Sequence, residues 1–417
     1  MEEIEYQTPV ESSSSGPVPI GSMPERYVVP STMYAWVLEP GHHGNPAKAF
    51  RQKVVPVPRL GYGEVLVFVM AAGVNYNGVW AARGEPVSVF DVHGAAWHVA
   101  GSDASGIVWA VGPGVRRWKP GDEVVIHCNQ IEYEDTETNG GDPMLSPSQK
   151  IWGYETPGGS FAQFTAVQAQ QLLPRPKQYS WVESAAYLLK LATVYRMLYG
   201  HPPHILRPGG SVLIWGAAGG LGVFAIQLCK LAGAKAIAVV SDMSKAEYVK
   251  SLGAAKVIVR SNYPALAGGT APGEPAWMKE AKAFGGEIWS VTGKGNNVDI
   301  VLEHPGQQTF PLSCFLARRG GLVVFCAATT GYRFEFDARY VWMHQKRIQG
   351  SHFAHMKQAH EANSLVMEGH VTPCVSRIFR WEELPLAHEL MGRNEHPPGN
   401  MVIQVGCSAA FATNHVE

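Results

Sequence analysis

SVLIWGAAGGLGVFAIQLCKLAGAKAIAVVSDMSK, Ser211 to Lys245, is the stretch that decides the fold. Val212-Leu213-Ile214-Trp215 is an apolar, β-rich run, Gly216 to Gly222 a turn, Val223 to Leu231 a helical pattern, and Ala236 to Val240 a second buried strand. Strand, turn, helix and strand make a βαβ unit. Its turn reads Ala217-x-Gly219-x-x-Gly222, with Ala at the first glycine position and Gly220 and Leu221 between the last two glycines. The glycines allow a tight turn, close backbone approach to a pyrophosphate and close helix–strand packing, and the helix N-terminus faces the phosphates. A lone glycine pattern says little, but one preceded by a strand, opening a helix and followed by a second strand points to a bound dinucleotide. Ala217, Gly219, Gly220, Leu221 and Gly222 are the expected cradle.

The end of the second strand selects the dinucleotide. NAD sites place an acidic residue there for the ribose hydroxyls, whereas a 2′-phosphate needs donors and positive charge. Here the order is Ser241, Asp242 and, one helical turn on, Lys245. The hydroxyl and the ammonium favour NADPH. Asp242 argues the other way if its carboxylate enters the site, and the residues alone leave open that Asp242 or Ser241 caps the following helix.

Around this unit the chain is long enough, at 417 residues with 46% hydrophobic content, for more than one core. A net charge of −1 excludes a general nucleic-acid binder, and no apolar run is long enough to span a membrane. Residues 1–30 are acidic and Ser/Pro-rich, without an export-signal core, and are expected to form a loosely ordered lead-in. The six cysteines stand far apart, with no C-x-x-C pair, so they are assigned to core packing in a cytoplasmic protein with reduced thiols.

From Met33 onward short β-like runs separated by Gly and Pro predict a mostly antiparallel domain. The segment Gly112 to Val124, with Trp118-Lys-Pro-Gly-Asp-Glu-Val, follows them and precedes the nucleotide unit. A β-rich N-terminal domain ahead of such a unit resembles the medium-chain dehydrogenase/reductase superfamily. That resemblance implies an α/β protein: a Rossmann-type doubly wound parallel sheet over 186–339, and a mostly β, GroES-like catalytic domain over 31–185 and 340–417. Where zinc-dependent members carry Gly-His-Glu, this chain has Gly101-Ser102-Asp103, and the four-cysteine lobe is missing. The zinc-free branch fits, with no metal expected. His93 and His98 lack a third ligand and are read as structural.

AAGVNYNGVWA, GSDASG, NGGDPM, IWGYET, LIWGAAGGLG, DIVLEHPG, RYVWM and KRIQGSHFAH narrow the match from about Met33 to Val405. Together they resemble the crotonyl-CoA carboxylase/reductase family, including its ethylmalonyl-pathway members. The resemblance implies NADPH-dependent reductive carboxylation of a 2-enoyl-CoA: hydride goes to the β-carbon and the enolate attacks CO2. The product is an alkylmalonyl-CoA. A homodimer or homotetramer is expected, with no nucleic-acid or membrane partner.

The resemblance also implies a CO2 pocket of Asn77, Tyr154, Glu155 and His352. The Asn77 amide donates to CO2, Tyr154 lends its backbone N–H, and Glu155 with His352 positions an ordered water. An enolate is basic, so trapping CO2 calls for neutral donors and exclusion of acids and bulk water. Each residue has an ordinary alternative: a satisfied amide, a packing ring, an ion pair, a core histidine. Arg339, Lys346 and Arg347 are candidates for the CoA phosphates, or solvated face residues. Two other readings stay open: an enoyl-CoA or quinone reductase that protonates its intermediate, and a non-catalytic NADPH-binding protein. Gly94-Ala95-Ala96-Trp97 and Lys190 depart from the family pattern and leave the acyl chain length undecided.

Overall fold

The computed structural model describes residues 16–132, 134–268 and 270–407. The chain forms two compact units, one of residues 1–189, 355–367 and 373–417, the other of residues 190–354 and 368–372.

The second unit is built on a six-stranded parallel sheet in the spatial order Lys256–Val259, Lys235–Val240, Ser211–Ile214, Val298–Glu303, Ala317–Phe325, Arg347–Gly350. That is a doubly wound Rossmann order, running outward both ways from the fingerprint strand. All four residues of Ser211–Ile214 are buried, because helices on both faces leave a central parallel strand no wet side. The helix Gly222–Leu231 follows the turn, with its first eight residues buried. Arg347–Gly350 pairs with Ala317–Phe325, so the chain stays in this sheet past residue 340 and the expected boundary moves later.

In the first unit, Glu64–Gly73 runs between Ala104–Val111 and Asn400–Gln404 in a seven-stranded sheet. A three-stranded sheet of Arg51–Pro56, Thr32–Leu38 and His98–Val99 completes this mostly antiparallel, GroES-like domain. The lead-in lies outside the described residues up to Ser15. From Gly16 it is tied down: Gln163 Nε2 donates to Val18 O (2.8 Å), Gly21 N to Val405 O (3.1 Å) and Trp109 Nε1 to Val28 O (2.9 Å). Ile20, Met23 and Val29 pack on the core. Trp181–Ser184 and Leu188–Tyr199 are two successive helices. The segment Asn129 to Lys150 has a paired stem in which Asn129 meets Ile151 and is fully buried.

Candidate active site

The second unit carries a dinucleotide cradle. Gly216 turns with φ +55°, and His304 Nε2 donates to Trp215 O (3.0 Å) beside it. A Cβ at Gly222 would lie 2.4 Å from Ala217 Cα and 2.5 Å from its carbonyl, so the helix can start against the strand only with glycine there. At Gly219 an added Cβ would meet only Gly216 O, at 3.3 Å. The backbone there is open for a ligand to approach, and the N–H groups of a helix's first turn lack partners within it. This fits a pyrophosphate.

At the end of Lys235–Val240, Ser241 Oγ donates to Asp242 Oδ2 at 2.8 Å, and Lys245 Nζ lies 4.0 Å from that oxygen. Asp242 turns back on its own loop, accepting from the N–H of Ser244 (3.0 Å) and from the Ser244 hydroxyl. The Ser244 hydroxyl, then Ser241, hold its carboxyl below the usual range. The capping alternative describes Asp242, and Ser241 and Lys245 stay grouped around it.

Sequence reasoning passed over Glu303, which ends the strand Val298–Glu303 and has no exposed surface. Gly306 N (3.0 Å) and Thr309 Oγ1 (2.7 Å) donate to its Oε1, and Ser313 Oγ (2.5 Å) to Oε2. Trp215 Nε1 donates in turn to Ser313 Oγ at 2.8 Å. Burial lifts this carboxyl to about 7. The strand end is thereby braced against the residue that opens the fingerprint turn.

His352 follows the edge strand Arg347–Gly350. Its ring contacts Phe353 at a centroid distance of 4.3 Å, and Ser351 beside it bonds His201 Nε2 (3.1 Å). Desolvation, and after it the Arg196 cation, draw its pKa down to about 4. The side chain keeps an exposed face, and the direction, a neutral imidazole at neutral pH, is what matters chemically.

The three basic candidates differ in how far they are committed. Lys346 Nζ donates to Cys314 O (2.7 Å) and Phe315 O (3.3 Å), closing the end of the helix Phe310–Leu316. That use of a buried ammonium corrects the expectation that it meets CoA phosphate. Arg339 forms an ion pair with Asp337 at 2.7 Å, and Arg347 donates to Pro202 O (3.2 Å) and Gln349 Oε1 (2.6 Å).

In the first unit, Asn77 sits in the first turn of the helix Tyr76–Arg83 and donates from Nδ2 to Ser102 Oγ at 2.6 Å. Beside it, Asn75 Nδ2 donates to the buried Asp103 at 3.3 Å. The Gly-Ser-Asp triplet therefore serves two asparagines. Among the described residues there is no group of three His, Cys, Asp or Glu side chains that could hold a metal ion.

IWGYET forms a tight turn. Tyr154 N (3.1 Å) and Glu155 N (2.8 Å) both donate to Ile151 O, and Ile151 N donates to Glu155 Oε2 at 2.7 Å. The Tyr154 N–H, expected as a donor to CO2, is thus spent inside the turn. The Tyr154 hydroxyl donates to Glu85 O at 2.9 Å, just past the helix that carries Asn77. Burial pushes the Glu155 carboxyl up, opposed by the Ile151 N–H and the Lys150 charge.

The alcohol dehydrogenase GroES-like domain family matches residues 61–177 and the zinc-binding dehydrogenase family residues 220–368. The crotonyl-CoA carboxylase/reductase of Cereibacter sphaeroides is 58% identical over 93% of this chain and 90% of its own. The chain belongs to the crotonyl-CoA carboxylase/reductase family. Crotonyl-CoA carboxylase/reductase AntE in complex with NADP superposes with a TM-score of 0.88 at 44% identity, covering 94% of this chain and 99% of that one. The 2-octenoyl-CoA carboxylase reductase CinF in complex with NADP and 2-octenoyl-CoA gives 0.86 at 36% identity, covering 92% and 90%. Carboxylase/reductases of this family are NADPH-dependent oxidoreductases on the medium-chain dehydrogenase/reductase fold, and no described helix is long and apolar enough to cross a membrane. Within that frame Ser102 and Glu303 are the residues that sequence reading had left without a role. Only the replacement of Gly-His-Glu by Gly-Ser-Asp pointed to the first.

Proposed function

We propose that this protein catalyses the NADPH-dependent reductive carboxylation of a 2-enoyl-CoA to an alkylmalonyl-CoA. The observation that carries the reading is the Asn77 amide, held by Ser102 where zinc-dependent relatives place a metal-binding histidine. The bound dinucleotide supplies a hydride to the β-carbon of the thioester. The π electrons then rest on the enolate, whose α-carbon attacks CO2 to form the new C–C bond. What the residues must do is orient CO2 and withhold protons from that carbon.

Asn77 has a second N–H beyond the one on Ser102, and this is the donor for a CO2 oxygen. Glu155, its carboxylate fixed by Ile151 N–H, and His352, neutral at neutral pH, are assigned to holding water away from the enolate. Tyr154 contributes its ring and hydroxyl, since its N–H is used in the turn. Ala217, Gly219, Gly220, Leu221 and Gly222 would hold the pyrophosphate, and Ser241 with Lys245 the 2′-phosphate. Of the basic candidates, Arg339 and Arg347 remain for the CoA phosphates. A homodimer or homotetramer and a cytoplasmic setting belong to the same reading, the latter supported by six cysteines that form no disulfide.

The test is mass spectrometry of products formed with NADPH, labelled bicarbonate and enoyl-CoA esters from crotonyl-CoA to 2-octenoyl-CoA. Label in an alkylmalonyl-CoA is expected. NADPH oxidation that yields only unlabelled saturated acyl-CoA would make the protein a simple reductase.

A further inference from the structure

Glu303 and His304 are neighbours in sequence that the chemistry above leaves without a task, and both reach the same residue. Trp215 is the first residue beyond the strand Ser211–Ile214 and the one that enters the fingerprint turn. Its indole N–H donates to Ser313 Oγ (2.8 Å), whose hydroxyl donates to Glu303 Oε2 (2.5 Å). Its carbonyl faces His304 Nε2 at 3.0 Å. A carbonyl only accepts, so the His304 proton is on Nε2. Burial draws the ring's pKa down to about 4 and keeps it neutral, so that proton is the ring's only one.

The carbonyl that His304 holds belongs to the Trp215–Gly216 peptide, whose tilt sets how the turn begins. Gly216 leaves that peptide with φ +55°, and an added Cβ there would lie 2.6 Å from His304 Nε2. The ring is thus packed against the turn as well as bonded to it. Gly216 O accepts from Gly219 N (2.9 Å), the residue whose open face fits a pyrophosphate. Trp215 N on Leu302 O (3.2 Å) and Ala217 N on Val239 O (3.0 Å) tie the turn to the strands on either side. Neither bond uses the Trp215–Gly216 peptide between them, and there the side chains act.

We propose that Glu303 and His304 are positioning residues for the dinucleotide: they clamp Trp215 by its indole and its carbonyl, and so hold the Trp215–Gly216 peptide in the orientation that leaves Gly219 open to the pyrophosphate. Their place in the sheet agrees with this role. Val298–Glu303 lies beside Ser211–Ile214 where the strand order reverses, and in such sheets ligands cross the carboxyl ends of the strands at that point. The inference goes beyond carboxylation, because hydride transfer needs the bound dinucleotide whether the enolate meets CO2 or a proton.

Replacement chemistry separates the two grips. His304→Gln places an amide nitrogen where imidazole Nε2 stood and keeps a donor for Trp215 O, whereas His304→Leu removes it. Ser313→Ala breaks the link from Trp215 to Glu303. The readouts are the Kd for NADP+ by titration calorimetry, the Tm of the protein without nucleotide, and kcat with the KM for enoyl-CoA at saturating NADPH. His304→Leu and Ser313→Ala are expected to weaken NADP+ binding about fivefold, the effect of one lost hydrogen bond, with kcat and the KM for enoyl-CoA within about twofold of wild type. His304→Gln is expected to bind NADP+ within about twofold of wild type.

Unchanged NADP+ affinity in both His304→Leu and Ser313→Ala overturns the proposal, and a lowered Tm beside that unchanged affinity marks a purely structural role. Equal weakening in His304→Gln and His304→Leu also overturns it, since the effect then belongs to the bulk of the imidazole and not to its hydrogen bond. If Ser313→Ala does not fold, His304→Leu decides alone. Shifted affinities in an enzyme whose product carries no label uphold the positioning and sink only the carboxylation reading.

Discussion

Asn77 gives one N–H to Ser102 Oγ at 2.6 Å, while its own Oδ1 is buried with no hydrogen-bond partner. A buried amide oxygen left unpaired is costly, on the order of 1–3 kcal/mol. A hydroxyl both donates and accepts, so a half-turn of the amide would let Ser102 satisfy Oδ1 and free both N–H groups for CO2. In either orientation Ser102 holds the amide. Ser102→Ala is therefore expected to raise the KM for CO2 about fivefold to tenfold, for roughly 1 kcal/mol of lost positioning, with hydride transfer retained. Asn77→Ala is expected to go further and shift product toward the saturated acyl-CoA. A labelled-product ratio unchanged in both variants removes this pair from CO2 handling.

Lys346 looks like a phosphate ligand in the sequence and like a helix cap in the structure. Its ammonium holds the last carbonyls of Phe310–Leu316, and burial lowers its pKa to about 8. Lys346→Met keeps the apolar stem and strips those carbonyls of their donor. The expected loss is on the order of 1–3 kcal/mol of stability, seen as a Tm lower by a few degrees. The KM values for NADPH and enoyl-CoA should not move. A raised KM for the thioester with an unshifted Tm would return Lys346 to the CoA site.

These cases show what a sequence read alone can carry. The fingerprint strand, turn and helix were legible because each glycine answers a local backbone demand, and the family motifs singled out the segments that carry Asn77, Tyr154, Glu155 and His352. What could not be read is which group a polar atom spends itself on. The Tyr154 N–H closes onto Ile151 O, Asp242 bonds its own Ser244, and Lys346 finds carbonyls about thirty residues away in sequence. The last of these partnerships is fixed by tertiary approach, which no spacing announces. Ser313 and Glu303 meet for the same reason, across a loop and a helix.

The two fingerprint glycines should fail differently. Gly222→Ala forces a methyl to within 2.4 Å of Ala217 backbone, so helix and strand must part and both Tm and cofactor binding fall. Gly219→Ala meets only Gly216 O at 3.3 Å, so the fold is kept while the methyl occupies the face left for a pyrophosphate. For Gly219→Ala we expect a KM for NADPH raised about tenfold or more at near-native Tm, since one blocked backbone contact to phosphate is worth roughly 1.5–3 kcal/mol. Equal behaviour of the two variants in thermal melts would contradict the division of labour between packing and ligand approach.

Glu303 ties stability to pH. Burial raises its carboxyl from 4.5 to about 7, the donors from Gly306, Ser313 and Thr309 pulling the other way. A folded-state pKa above the unfolded one means that the folded protein holds the proton more tightly. The stabilising contribution is then complete below about 4.5 and is lost as pH climbs through about 7. At ~1.4 kcal/mol per pH unit, the full swing is on the order of 3 kcal/mol. Glu303→Gln cannot ionise, yet its amide oxygen still accepts from Gly306 and Thr309. Its Tm relative to wild type should accordingly rise between about pH 5 and about pH 8. Thermal melts at half-unit intervals measure that difference, and parallel wild-type and variant curves would show that this carboxyl does not titrate in the window.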